Sequence, residues 1–119
     1  MADILIVDDS RTSRKILRGI LENAGHTVVG EAKNGEEGIE MFKQLSPDLV
    51  TLDITMPVVD GVAAMKSIRA LSTEVKIVMI TAAGQRDKVI TCLKDGADEF
   101  ITKPLDAGKI EAAIAGLVG

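Results

Sequence analysis

Asp8, Asp9, Asp53, Thr81 and Lys103 all stand where a short apolar run ends. Ile4-Leu5-Ile6-Val7 leads into Asp8-Asp9, and Leu49-Val50-Thr51-Leu52 leads into Asp53. Ile77-Val78-Met79-Ile80 leads into Thr81, and Phe100-Ile101-Thr102 leads into Lys103-Pro104. Carboxylates, a hydroxyl and an ammonium are the groups that phosphoryl transfer uses: an acceptor oxygen, hard ligands for a cation, and donors to phosphoryl oxygens. Singly, each is ordinary. Asp-Asp after a strand commonly caps a helix or lies in a solvated loop, a Thr there serves a turn, and Lys-Pro is a loop. The recurrence at one end of four runs favours a site.

Three carboxylates in one crevice repel one another. At an effective dielectric near 20, a like-charged pair about 4 Å apart costs roughly 4 kcal/mol. The site must protonate, hold a cation, or draw on the charge of Lys103. One lysine does not balance three acids, which predicts a divalent ion as well. Oxygen ligands with room for water suit Mg²⁺, with Mn²⁺ as a substitute. With the metal present, a carboxylate can act as nucleophile and form an aspartyl-phosphate. Asp53, expected between strands 1 and 4, is the predicted acceptor. Asp8 and Asp9 then serve the metal, while Lys103 and Thr81 contact the phosphoryl oxygens.

The elements that must position these residues alternate along the chain. The patterning predicts strand 3–7, helix 11–24, strand 27–32, helix 35–45, strand 49–53, helix 61–71, strand 76–81, helix 85–95, strand 99–102 and helix 107–117. Gly25 and Gly96 follow helices, Asn34-Gly35 opens one, and Pro47 and Pro57 fall between elements. Continuous rather than alternating apolar strands indicate a parallel sheet covered on both faces. Core stripes are predicted at Ile16, Leu17, Ile20, Leu21 and Ala24 of the first helix, and at Ile110, Ala113, Ile114 and Leu117 of the last. Five such units make a flavodoxin-like (βα)5 α/β fold, a doubly wound sheet of order 2-1-3-4-5. That order sets strands 1, 3, 4 and 5 side by side. The edge strand, which ends in Ala32-Lys33-Asn34, is the one without an acid. Ligands of such sheets bind beyond the carboxyl ends of the strands, near the switch between strands 1 and 3.

At 119 residues, residues 1–119 are read as one domain. A net charge of −4 and only two aromatics, Phe42 and Phe100, argue against direct nucleic-acid binding. No apolar run reaches membrane-spanning length, so no membrane partner is expected. The single Cys92 and the absence of a leader at Met1-Ala2-Asp3 predict a cytoplasmic location. Arg11, Arg14, Lys15 and Arg18 give the first helix a basic outer face, read either as solvated or as a docking surface. Cys92 and Met41, Met56, Met65 and Met79 are read as core filling, and His26 as structural. Ala112, Ala115 and Gly116 are expected on the exposed side of the last helix.

The stretches Ile6-Val7-Asp8-Asp9-Ser10, Asp53-Ile54-Thr55-Met56-Pro57 with Asp60-Gly61, Thr81-Ala82 and Lys103-Pro104 resemble a two-component response-regulator receiver domain over essentially the whole chain. The resemblance is greatest to the single-domain chemotaxis-type regulators. It implies that Asp53 accepts a phosphoryl group from a histidine kinase or histidine-phosphotransfer protein, without being an enzyme in its own right. It further implies Mg²⁺ on Asp9, Asp53 and the backbone carbonyl of Thr55, with Asp8 acting through a metal-bound water. A cis Lys103-Pro104 bond and a switch pair of Thr81 and Phe100 belong to the same expectation. The implied output surface is the fourth helix, fifth strand and fifth helix, acting on a protein target such as a flagellar motor switch component. Two departures are visible. Leu105 follows the proline where many relatives carry an aromatic, and Phe100 lacks a hydroxyl. Thr55 and Ala83, which flank the acyl-phosphate in the family, predict no fast self-hydrolysis.

Because the chain ends at Gly119, just after the last predicted helix, a stand-alone domain is the leading expectation. The alternatives are a phosphorelay intermediate or a receiver excised from a longer regulator. A more distant reading is an Asp-nucleophile phosphatase, which needs an acid where Thr55 stands. A flavin carrier needs a phosphate-binding first loop, whereas here that loop opens with two acids.

Overall fold

The computed structural model describes residues 1–118; Gly119, on which the stand-alone expectation rests, lies outside the described residues. Five strands alternate with five helices: β1 (Asp3–Val7), α1 (Arg11–Asn23), β2 (Thr27–Ala32), α2 (Gly35–Leu45), β3 (Leu49–Asp53), α3 (Gly61–Leu71), β4 (Lys76–Thr81), α4 (Arg86–Asp95), β5 (Glu99–Thr102) and α5 (Ala107–Val118). The sheet is parallel, in the order β2-β1-β3-β4-β5. That is the expected order. It puts β2 at an edge and the four chemically marked strands side by side.

The strands are apolar throughout because both faces are buried. Leu5, Val7, Val50, Leu52, Ile77 and Met79 face the core made with α2, α3 and α4, which includes Phe42, Met65, Ile68, Val89 and Cys92. Ile4, Ile6, Leu49, Val78, Ile80 and Ile101 face the core made with α1 and α5, through Leu17, Leu21, Ile110 and Ile114. Alternate residues of one strand thus feed two cores, as the period-2 geometry requires. Ala113 and Leu117 pack at the margin of the second core. Two residues of the predicted α1 stripe do not belong to it: Ile16 is 49% exposed, and Ala24 is exposed as the C-cap residue. A helix of 3.6 residues per turn resting on the sheet buries a narrower arc than the one drawn through five apolar residues, and Leu17 and Leu21 occupy its centre.

Capping sets where the helices begin. Ser10 accepts from the Ser13 N–H at 3.2 Å, Asn34 from Glu37 N–H at 2.8 Å, and Asp60 from Ala63 N–H at 2.9 Å. Helix α4 is the exception. Its N-cap residue is Gln85, which makes no capping bond, so the helix starts one residue later than predicted. His26 is structural, as expected: its Nδ1 accepts from the Ala2 N–H at 3.1 Å. Among the described residues no helix is long and apolar enough to cross a membrane.

Candidate functional site

Strand register brings the chemistry together. Val7 pairs with Leu52, Asp53 with Ile80, and Thr81 with Thr102. The chain leaves each strand with the next residue still in line, so Asp8 adjoins Asp53 and Lys103 adjoins Thr81. Three further backbone bonds hold these exits in place: Asp8 N–H to Ala32 O at 3.0 Å, Ile54 N–H to Ile80 O at 3.0 Å, and Lys103 N–H to Thr81 O at 2.7 Å. Asp8, Asp53 and Thr81 are buried, while Asp9 is exposed at the mouth.

The Lys103 Nζ lies 3.3 Å from a carboxylate oxygen of Asp53 and 3.6 Å from one of Asp8. Each of Asp8, Asp9 and Asp53 offers an oxygen within 4.8 Å of the others. Burial holds the Asp53 carboxyl above its ordinary pKa, and the neighbouring Asp8 charge pushes the same way. Lys103, by charge and by hydrogen bond, and the Thr55 backbone N–H pull it back. The lysine therefore offsets only part of the acid cluster, as the charge arithmetic requires. Hard oxygen donors at this spacing fit a small divalent cation. Asp8 is partly engaged elsewhere: one oxygen accepts from the Ser10 N–H at 2.8 Å, and its carbonyl accepts from Arg14 Nη1 at 2.7 Å. Ser10, not either Asp, caps α1.

The loops around the acids are built for close approach. Gly61 N–H donates to Ile54 O at 2.7 Å, and a Cβ on Gly61 would lie 2.0 Å from the Asp53 carbonyl oxygen. Val58, in the same loop, has φ 69°, a left-handed conformation that a β-branched residue rarely adopts. Lys103-Pro104 is cis, as expected. Thr55, exposed two residues beyond Asp53, has a side chain that accepts from the Gln85 amide. Phe100 is 41% exposed and lines an open groove of about 400 Å³ with Thr81, Ala83, Val89, Ile90 and Leu93.

Two residues near the site were not anticipated. Arg14, on the basic face of α1, pairs with Glu31 at 3.3 Å and clamps the Asp8 backbone. Arg18 also pairs with Glu31, at 2.6 Å, and with Glu22 at 3.4 Å, so half of the predicted basic face is neutralised. Gln85, which the patterning puts inside the fourth helix, stands just ahead of it. It receives the Thr81 hydroxyl at 3.2 Å on Oε1 and donates from Nε2 to Thr55 Oγ1. The one available signal was chemical: glutamine is a poor N-cap in a position where serine, threonine or aspartate is favoured.

Residues 4–115 match the family described as response regulator receiver domain. The chain is 45% identical to the chemotaxis protein CheY of Bacillus subtilis over 111 residues, covering 93% of this chain and 92% of that protein. It is 43% identical to CheY of Thermotoga maritima over the same length and share of each chain. Among solved structures, the CheX-CheY-BeF3-Mg²⁺ complex of Borrelia burgdorferi aligns with a TM-score of 0.94 at 36% identity, covering 98% of this chain and 89% of that one.

Proposed function

The chain belongs to the response regulator receiver domain family, and from that premise we propose that Asp53 is the residue by which it serves as a phosphoacceptor in signalling. The observation that carries this reading is the convergence of Lys103 Nζ on Asp53 and Asp8, 3.3 and 3.6 Å away, inside a cluster of three carboxylates. A carboxylate oxygen of Asp53 forms the P–O bond as the P–N bond of a phosphohistidine donor breaks, and the leaving imidazole nitrogen takes up a proton from solvent. Lys103 meets the charge of the phosphoryl oxygens, and the Thr81 hydroxyl donates to one of them.

The residues that would hold Mg²⁺ are Asp9, Asp53 and the Thr55 backbone carbonyl, with Asp8 through a water. The ion, when bound, supplies charge neutralisation at the transferring group. The solved Borrelia complex contains BeF3 and Mg²⁺, and the donor set here suits the same ligand class.

The donor is a histidine kinase or histidine-phosphotransfer protein in the cytoplasm. The output is a protein–protein contact on α4, β5 and α5, where the groove beside Phe100 leaves room for that ring to turn inward as Thr81 moves. Likeness to the CheY proteins supports a role in chemotaxis, with a flagellar switch component as the target. Incubation with acetyl phosphate and Mg²⁺, followed by intact mass, tests the reading. The wild-type chain gains one phosphoryl group and Asp53→Asn gains none. An unmodified wild type, or equal modification of the variant, rejects it.

A further inference from the structure

Gln85 stands at the N-cap of α4 but does not cap it. Its amide is spent on a bridge. The Thr81 hydroxyl directs its proton to the Ala82 carbonyl at 3.0 Å and to Gln85 Oε1 at 3.2 Å, and Gln85 Nε2 donates to Thr55 Oγ1. Thr81 ends β4 and Thr55 lies two residues beyond the end of the adjacent strand β3, so the bridge links the two strand exits beside Asp53. In this arrangement the Thr81 proton has two acceptors, neither of them on Asp53.

We infer that Gln85 is a positioning residue, a latch that holds Thr81 away from the acceptor in the unphosphorylated protein and ties it through Thr55 to the β3–α3 loop. The inference rests on Asp53 being the phosphoacceptor. For Thr81 to donate to an oxygen on phosphorylated Asp53, it must release Gln85. Because Gln85 is the N-cap residue of α4 and its side chain bonds to the two threonines instead of the helix, that release also loosens the tie between the start of α4 and the β3–α3 loop. One residue therefore couples occupancy of the acceptor to the start of α4, and it sets how costly occupancy is. A hydrogen bond of this kind shifts an equilibrium by about two- to tenfold.

The test measures beryllofluoride affinity in the presence of Mg²⁺ by amide NMR titration, with melting temperature recorded alongside. Gln85→Leu and Gln85→Ser both remove the bridge, and both are expected to bind about two- to tenfold more tightly. They differ in stability, since Gln85→Ser supplies a good N-cap and raises the melting temperature, whereas Gln85→Leu does not. Thr55→Val, which keeps the backbone carbonyl, gives a smaller change in the same direction and adds nothing in the Gln85→Leu background. A wild-type chain that ignores beryllofluoride overturns the phosphoacceptor reading and the latch with it. A responsive wild type whose affinity is unchanged in Gln85→Leu overturns the latch alone. So does affinity that follows melting temperature across the variants, or a Thr55→Val effect that adds fully to that of Gln85→Leu.

Discussion

Asp53 is chemically useful because it is energetically uncomfortable. Only 7% exposed, it faces Asp8 and shares the single ammonium of Lys103 with it. Its carboxyl is raised in the folded protein, so the fold binds this proton more readily than the unfolded chain does. The resulting destabilisation is absent below the unfolded carboxylate range and grows as pH rises through the folded value. Asp53→Asn, without metal, is therefore expected to be more stable than wild type at neutral pH. The gap should close on acidification, which urea melts at several pH values would read out. Thr51 offers an independent check two residues earlier. Its hydroxyl is buried with no hydrogen-bond partner among the described residues, so Thr51→Val is expected to hold or raise stability by up to about 1 kcal/mol.

At the scale of elements, the loops after the strands set the precision of the site. Gly61 is required by contact, since a Cβ there meets the Asp53 carbonyl and Ile54 Cα, neither of which can swing aside. Gly61→Ala is expected to cost at the upper end of about 1–3 kcal/mol and to displace Asp53. Val58 is the opposite case. It is 74% exposed and held at φ 69°, so glycine fits better there. Val58→Gly should gain about 0.5–1 kcal/mol after the entropy cost of glycine, as measured by thermal melts. The positions of the strands, and of Asp8, Asp53, Thr81 and Lys103 at their ends, were legible because apolar run length and polar punctuation are local properties. The narrow buried arc of α1 was not, since which of Ile16, Leu17 and Ile20 turns inward depends on how the helix lies on the sheet. The Arg14–Glu31 and Gln85–Thr55 contacts join residues 17 and 30 positions apart. No spacing rule links them, and only packing brings them together.

At the scale of the whole molecule, one parallel sheet separates two apolar cores and gathers its polar strand exits at a single edge. The order β2-β1-β3-β4-β5 makes this possible. It leaves the acid-free β2 outside and sets acid, acid, hydroxyl and ammonium on neighbouring strands. On the reading proposed above, these four exits form one phosphoryl site. Amide NMR on addition of Mg²⁺ and beryllofluoride tests it most directly. Shifts are expected at residues 8–10, 53–56, 81–86 and 102–104 in the wild type and not in Asp53→Asn. Shifts confined to one strand exit, or an undiminished response in Asp53→Asn, would contradict it.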